Sequence, residues 1–124
     1  MRLVQPVLIQ VTELGPRNEI NLIYVDGELD ADNAPELGKV IDGLMEKKRY
    51  NLIIDLGKVN YVSSTGWAIF TSRLKEIRQN RGDLKLVGLL PDIYEVFELL
   101  EFHRIISTYS SVEDAVKEFL GDGT

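Results

Sequence analysis

The chain contains no cysteine, a single histidine and a single tryptophan in 124 residues. Without cysteine there is no disulfide frame, no thiolate zinc site and no cysteine nucleophile, and the absence fits a cytoplasmic protein. The lone His103 has no second histidine and no serine–aspartate pair at a telling distance. A surface or boundary position is therefore expected for it, rather than a catalytic base or metal ligand. Positive charge is also short. Lys and Arg number 14 against 20 Asp and Glu, and the net charge of −6 has the wrong sign for holding nucleic acid by its phosphates. No apolar stretch approaches the roughly 20 residues that span a bilayer. The stretch Met1-Arg2-Leu3-Val4-Gln5-Pro6-Val7 is too short and too interrupted for a signal-peptide core. No glycine-rich loop precedes a helix in the manner of a dinucleotide or Walker site. Neither a membrane nor a nucleic acid is expected as a partner, and no metal or cofactor.

What remains is an ordinary globular composition, 44% hydrophobic and 27% charged, enough for one domain with a real core over residues 1–124. Residues 4–11 form the first expected strand, followed by turn signals at Gly15-Pro16 and Asn18. Residues 20–26 form the second, with Ile20, Leu22 and Tyr24 alternating, so the pair is expected as an antiparallel hairpin. Asp32 or Asn33 can cap a helix over 34–48, with Pro35 in its first turn and Leu37, Val40, Ile41, Leu44 and Met45 along one face. The continuous run in 51–56 predicts a buried strand. A second helix is expected over 64–80, then a strand over 84–87 and a helix over 91–100 with Ile93, Val96, Phe97 and Leu100 inward. Ile105-Ile106 suggests a short strand. Ser110 or Ser111 can cap a last helix, with Glu113 or Asp114 placed for a capping box and Val112, Ala115, Val116 and Phe119 facing in. The order predicts an α/β fold with a mixed sheet of about five strands, the first two antiparallel, and about four helices.

The most informative stretch is Asp55-Leu56-Gly57-Lys58-Val59-Asn60-Tyr61-Val62-Ser63-Ser64-Thr65-Gly66-Trp67. A buried strand ends in an aspartate, and three hydroxyl residues then open a helix. Helix N-termini present unpaired N–H groups and the positive end of the dipole, so they tolerate a phosphate. At 100° per residue, Trp67, Phe70, Leu74 and Ile77 share one stripe, and Thr65 falls about 160° from Trp67, almost opposite that stripe. Ser63 aims inward and Ser64 to the side, which makes Thr65 the hydroxyl expected to meet solvent. Ser63 or Ser64 as a simple N-cap is the alternative, and both roles can coexist. Asp55 also invites comparison with a phosphoacceptor aspartate. Such a site needs further acidic ligands for magnesium, and only Glu13 is near the end of the first strand. The cluster Lys47-Lys48-Arg49 is explained by a solvated helix end.

Three segments together resemble the STAS domain, and within it the small anti-sigma factor antagonists of bacteria. They are Gly27-Glu28-Leu29-Asp30 with Asn33-Ala34-Pro35-x-Leu37, then Leu52-Ile53-Ile54-Asp55-Leu56 followed by Val59-x-Tyr61-Val62-Ser63-Ser64-Thr65-Gly66, and last Phe102 to Tyr109 with Ser111-x-Glu113-x-Ala115. The resemblance covers nearly the whole chain and implies a single STAS domain over 1–124. It implies a switch in a partner-switching pathway rather than an enzyme. The unphosphorylated antagonist binds an anti-sigma factor that is also a serine/threonine kinase and so frees a sigma factor for transcription; a phosphatase resets it. Matched by position, the phosphoacceptor is Thr65, with Ser64 as the alternate. Asp30 matches a loop aspartate near the site. Asp30, Ser63, Ser64, Thr65, Gly66 and Ile69 are the expected partner-binding residues. Ser63 stands where many members have aspartate, and Trp67 is bulkier than the usual aliphatic residue. The alternatives are a non-phosphorylated STAS scaffold module and a small-ligand (nucleotide) binding domain.

Overall fold

The computed structural model describes residues 6–121. Five strands form one sheet in the order β1-β2-β3-β4-β5: Leu8–Leu14, Ile20–Asp26, Asn51–Lys58, Asp83–Val87 and Thr108–Tyr109. β1 and β2 are antiparallel, and every later neighbour is parallel. The α/β architecture expected from the alternation of strands and helices is therefore the one observed.

The first strand lies further along the chain than its apolar pattern indicates. Thr12, Glu13 and Leu14 pair with Leu22, Asn21 and Ile20, so the turn shrinks to residues 15–19. Val4 and Gln5, at the other end of the expected strand, lie outside the described residues.

One face of the sheet carries α1 (Ala34–Glu46), α2 (Ser64–Thr71), α3 (Leu74–Gln79) and α4 (Pro91–Leu99); their core includes Leu37, Ile41, Phe70, Ile77 and Phe97 against Ile23, Ile54 and Leu86. The other face carries α5 (Val112–Leu120), whose Ala115 packs on Ile53, Val87 and Ile20 with Val116 and Phe119 half-buried beside it.

The helix expected over 64–80 forms in two pieces. At the break, Thr71 Oγ1 reaches the Trp67 carbonyl at 3.4 Å, and Arg73 Nη1 donates to the Ile69 carbonyl at 3.1 Å. Side chains thus compete for carbonyls that an unbroken helix would use. Arg73 also holds Asp42 of α1 through both guanidinium edges, at 2.7 and 3.0 Å. After α3, Gly82 lies so close to Tyr50 that a Cβ would fall 2.0 Å from the Tyr50 carbonyl oxygen. Only glycine fits where α3 turns into β4.

Four further expectations are corrected. α1 stops at Glu46, because Lys48 adopts φ 62° and the Arg49 amide returns to the Leu44 carbonyl. Arg49 is not a solvated helix end: its Nε donates to Oδ1 of the buried Asn21 at 2.7 Å. Val96 and Leu100 do not face inward; α4 is anchored by Ile93 and Phe97, leaving Val96 and Leu100 exposed. The last strand is Thr108–Tyr109, paired with Leu86 and Val87, whereas Ile105 and Ile106 follow a 3-10 turn at Phe102–Arg104. His103, in that turn, is exposed as expected.

Candidate functional site

The site forms where two loops leave the sheet on the side of α1 and α2. After β2 the chain enters Gly27, whose φ of 126° suits glycine, and its amide donates to the Lys58 carbonyl at 3.2 Å. Leu29 then runs alongside Val62 as an isolated parallel bridge. The Leu29 amide donates to the Tyr61 carbonyl at 2.9 Å, and the Leu29 carbonyl accepts the Ser63 amide at 2.8 Å. These backbone bonds fasten the 27–30 loop to the segment that starts α2.

Ser63 is the N-cap of α2. Its backbone is extended, at φ −75° and ψ 169°, and its hydroxyl accepts the Gly66 amide at 3.1 Å. Its carbonyl accepts the Trp67 amide at 3.0 Å. That leaves the amides of Ser64 and Thr65 without an acceptor among the described residues. Thr65 is exposed, as its helical angle indicates, but so is Ser64. Helical angle alone overstates the difference because Ser64 sits in the first turn, where no preceding turn covers it. Gly66 and Trp67 are buried directly behind the hydroxyls. Trp67 packs its ring against Phe70, Phe97 and Phe102, with centroid distances of 6.1, 5.9 and 5.4 Å. Its Nε1 is buried with no hydrogen-bond partner among the described residues.

The remaining expected residues divide. Asp30 lies in the loop beside the site, but its Oδ1 is already engaged, accepting the amides of Asp32 at 2.9 Å and Asn33 at 2.8 Å. It closes the turn that leads into α1 and so lies one step ahead of the cap expected of Asp32 or Asn33. Asn33 Oδ1 accepts the Asp30 amide at 3.0 Å, and its Nδ2 donates to the Glu28 carbonyl at 2.7 Å. Asn33 itself makes no side-chain cap. Ile69 is only half-buried, yet it is anchored. Its Cδ1 lies 3.0 Å from where a Cβ on Gly38 of α1 would stand, so it packs on a helix rather than on a loop. Asp55 belongs elsewhere. Its neighbour Ile53 points toward α5 and so, by the alternation of the strand, does Asp55, while Thr65 begins a helix on the opposite face. Asp55 Oδ1 accepts the Gly57 amide at 2.9 Å within β3, which does not end at the aspartate as expected but runs on to Lys58. Among the described residues there is no group of three or more His, Cys, Asp or Glu placed to hold a metal.

The sequence reading missed Tyr61. It is 49% exposed and lies on the loop whose carbonyl holds Leu29. Its position in a short polar link, between a buried strand and a helix start, is the signal that was available.

The layout is that of a hydroxyl-bearing helix start fastened by backbone hydrogen bonds to a neighbouring loop. The STAS domain profile matches residues 13–115, and the chain belongs to that family. An anti-sigma-B factor antagonist of Listeria monocytogenes is 36% identical over 84 residues, which is 68% of this chain and 74% of that one. Among solved structures, an anti-sigma factor antagonist from Mycobacterium paratuberculosis superposes with a TM-score of 0.80 at 21% identity, covering 90% of this chain and 92% of that one. The phosphorylated form of the Bacillus cell fate determinant SpoIIAA gives a TM-score of 0.69 at 18% identity, covering 90% of this chain and 99% of that one. At such identities the structures establish the shared fold. No helix among the described residues is long and apolar enough to cross a membrane.

Proposed function

We propose that this protein is an anti-sigma factor antagonist switched by phosphorylation of Thr65. In the unphosphorylated state it binds an anti-sigma factor that is also a serine/threonine kinase, and so releases a sigma factor; a phosphatase reverses the modification. One observation carries the reading: an exposed threonine at the start of α2 whose own amide and that of Ser64 have no acceptor among the described residues. The similarity to an anti-sigma-B factor antagonist supports the choice of partner.

The physics of the switch follows from that geometry. A phosphate on Thr65 brings about −1.5 to −2 charges. The open amides and the helix dipole stabilise it where it stands. A partner packed over the same face must strip water from that charge, so its binding weakens. The contact surface comprises Asp30, Ser63, Ser64, Thr65 and Ile69, with Tyr61 added as an exposed aromatic at the rim; Gly66, expected among them, is buried against Val62 and Leu29 and shapes the helix start from behind. ATP and the phosphoryl-transfer machinery belong to the kinase, and this chain supplies a positioned hydroxyl.

The test is direct. Incubated with ATP and its cognate kinase, the protein is expected to gain the mass of one phosphate, with peptide mapping placing it on Thr65. Thr65→Ala should abolish the gain without loss of folding, and Ser64→Ala should retain it. Phosphate on Ser64 would move the switch by one residue, and no phosphate at all would refute phosphorylation control.

A further inference from the structure

The two edges of the sheet are built differently. β5 has only two residues, so its outer edge offers little backbone to another strand. β1 is seven residues long and pairs on one side only, with β2, in unbroken register from Leu8 to Leu14. Its outer rim of N–H and C=O groups meets no strand among the described residues. Proteins usually blunt an edge of this length with lysine, proline, a bulge or a covering segment. Leu8-Ile9-Gln10-Val11-Thr12-Glu13-Leu14 contains no lysine and no proline, and its pairing with β2 has no bulge.

Two apolar side chains on this strand are also left in water, Leu8 at 48% exposure and Val11 at 44%. They lie on opposite faces of the sheet. Val11 pairs with Ile23, which points into the core beneath the four helices, so Ile9, Val11 and Glu13 share that side. Leu8, Gln10, Thr12 and Leu14 point to the side of α5, which packs mainly on β3, β4 and β5 and reaches toward this edge as far as Ile20, with Leu14 beside it. Among the described residues, then, nothing pairs with the outer edge of the strand, and it is exposed in part on both faces.

We propose that β1 is an interface with a second copy of this chain, the two strands pairing antiparallel about a two-fold axis through Val11. A symmetric pairing that keeps the helices of both copies on one side must match odd residues with odd and even with even. Centred on Val11, all seven residues find a counterpart. Leu8 meets Leu14 of the partner subunit, Ile9 meets Glu13 of the partner subunit, and Gln10 meets Thr12 of the partner subunit. The two Glu13 carboxylates then stand about 13 Å apart, four residues along the strand and beyond the screening length in physiological salt. Centring on Glu13 would set the carboxylates face to face and leave the apolar half of the strand unpaired. Centring on Gln10 or Thr12 shortens the overlap. Length and charge thus select one register, and it covers both exposed apolar side chains. Thr65 begins the helix that follows β3, two strands in from this edge, so the dimer carries two independent switch sites.

Sedimentation velocity from micromolar to submillimolar concentration tests the proposal. The mass of the wild-type protein is expected to climb from the 14.1 kDa of one chain toward twice that value. Val11→Lys places two ammonium groups together on the axis, and should stay at 14.1 kDa at every concentration while melting close to wild type. Because the chain has no cysteine, Val11→Cys gives a second readout that does not depend on the lysine variant folding. Opposed residues of antiparallel strands have Cα atoms about 4.5–5.5 Å apart, within disulfide reach. Val11→Cys should cross-link to a dimer on mild oxidation, and Lys75→Cys, exposed on α3, should not. Wild-type protein that remains monomeric throughout would overturn the proposal and leave this edge to an extended segment of a different protein. A dimer that survives Val11→Lys, or equal cross-linking by the two cysteine variants, would overturn it as well.

Discussion

Three glycines lie inside helices of this fold, and the same substitution at each should give three different outcomes. Alanine is the better helix former by about 1 kcal/mol, so with backbone preference alone every Gly→Ala change would stabilise. Packing decides otherwise. At Gly43 in α1 a Cβ would have no neighbour within 4 Å, and Gly43→Ala is expected to stabilise by up to about 1 kcal/mol. At Gly38, one face round on the same helix, the Cβ would fall 2.8 Å from Arg73 Nη2 and 3.0 Å from Ile69 Cδ1. The guanidinium can withdraw, but it would loosen its hold on Asp42, a partly exposed pair worth about 1 kcal/mol. The net change at Gly38 should be near zero or mildly unfavourable. At Gly66 the Cβ would stand 2.8 Å from Val62 Cγ1 and 3.4 Å from both the Cβ and the carbonyl oxygen of Leu29. Val62 is buried and β-branched, so its methyl has no other rotamer to use freely. Overpacking of this kind costs about 1–3 kcal/mol, only partly offset by helix propensity in a first turn. Gly66→Ala is therefore expected to destabilise by about 1–2 kcal/mol, or about 3–6 °C per kcal/mol in melting temperature at this chain length. Urea unfolding followed by fluorescence of Trp67, the sole tryptophan and 3% exposed, reads all three variants, with far-ultraviolet circular dichroism as an independent probe. The expected order of midpoints is Gly43→Ala above wild type, Gly38→Ala at or just below it, and Gly66→Ala lowest. A Gly66→Ala midpoint at or above wild type would refute the close packing of the α2 start against Leu29 and Val62. Equal shifts at all three sites would mean that backbone preference, not packing, governs them.

Ser63→Ala should cost about 1 kcal/mol, the usual worth of a hydroxyl N-cap, measured as a lower urea midpoint. Asp83 supplies a pH dependence. Burial alone would raise its pKa, but hydrogen bonds from the Lys85 ammonium, the Leu84 amide and Arg78 outweigh burial and hold it below its ordinary 3.8. A carboxylate depressed in the folded state contributes stability that is complete above the ordinary value and is lost as pH falls through the lowered one. Acid titration should show a smaller loss of stability in Asp83→Asn than in wild type, the remainder including Asp42, which Arg73 holds low. At neutral pH Asp83→Asn should itself destabilise by about 1–3 kcal/mol, because Lys85 is 6% exposed and would lose its counter-ion while keeping an amide acceptor.

The elements that periodicity and apolar runs revealed are those whose burial is set by residues close together in the chain. The β1–β2 hairpin, the run Leu52-Ile53-Ile54 and the apolar face of α1 all followed from residue spacing. The break between α2 and α3 did not, since Trp67, Phe70, Leu74 and Ile77 keep helical phase across it. Ser72 and Arg73 depart from helix through side chain-to-carbonyl bonds, which apolar spacing does not encode. β5 was misplaced because Ile106 is buried by packing while Thr108 and Tyr109 pair by backbone, and two residues are too few to alternate. At the site, the hydroxyl cluster and its helix start were legible. The bridge between Leu29 and Val62 was not, because it joins residues 33 positions apart through backbone alone.

Lys85 carries a practical consequence. Its ammonium sits on the α5 face of the sheet, 4.9 Å from the ring centroid of Phe119 and 5.5 Å from that of Tyr109. Six of the seven lysines are exposed, and Lys85 alone is sealed. An amine-reactive reagent should therefore label six lysines at once and reach Lys85 only in molecules whose last helix has lifted. The delay of that seventh label is a clock for the helix, readable by mass spectrometry on unmutated protein. Run before and after phosphorylation, it would time whether a charge on one face of the sheet is felt by the layer on the other.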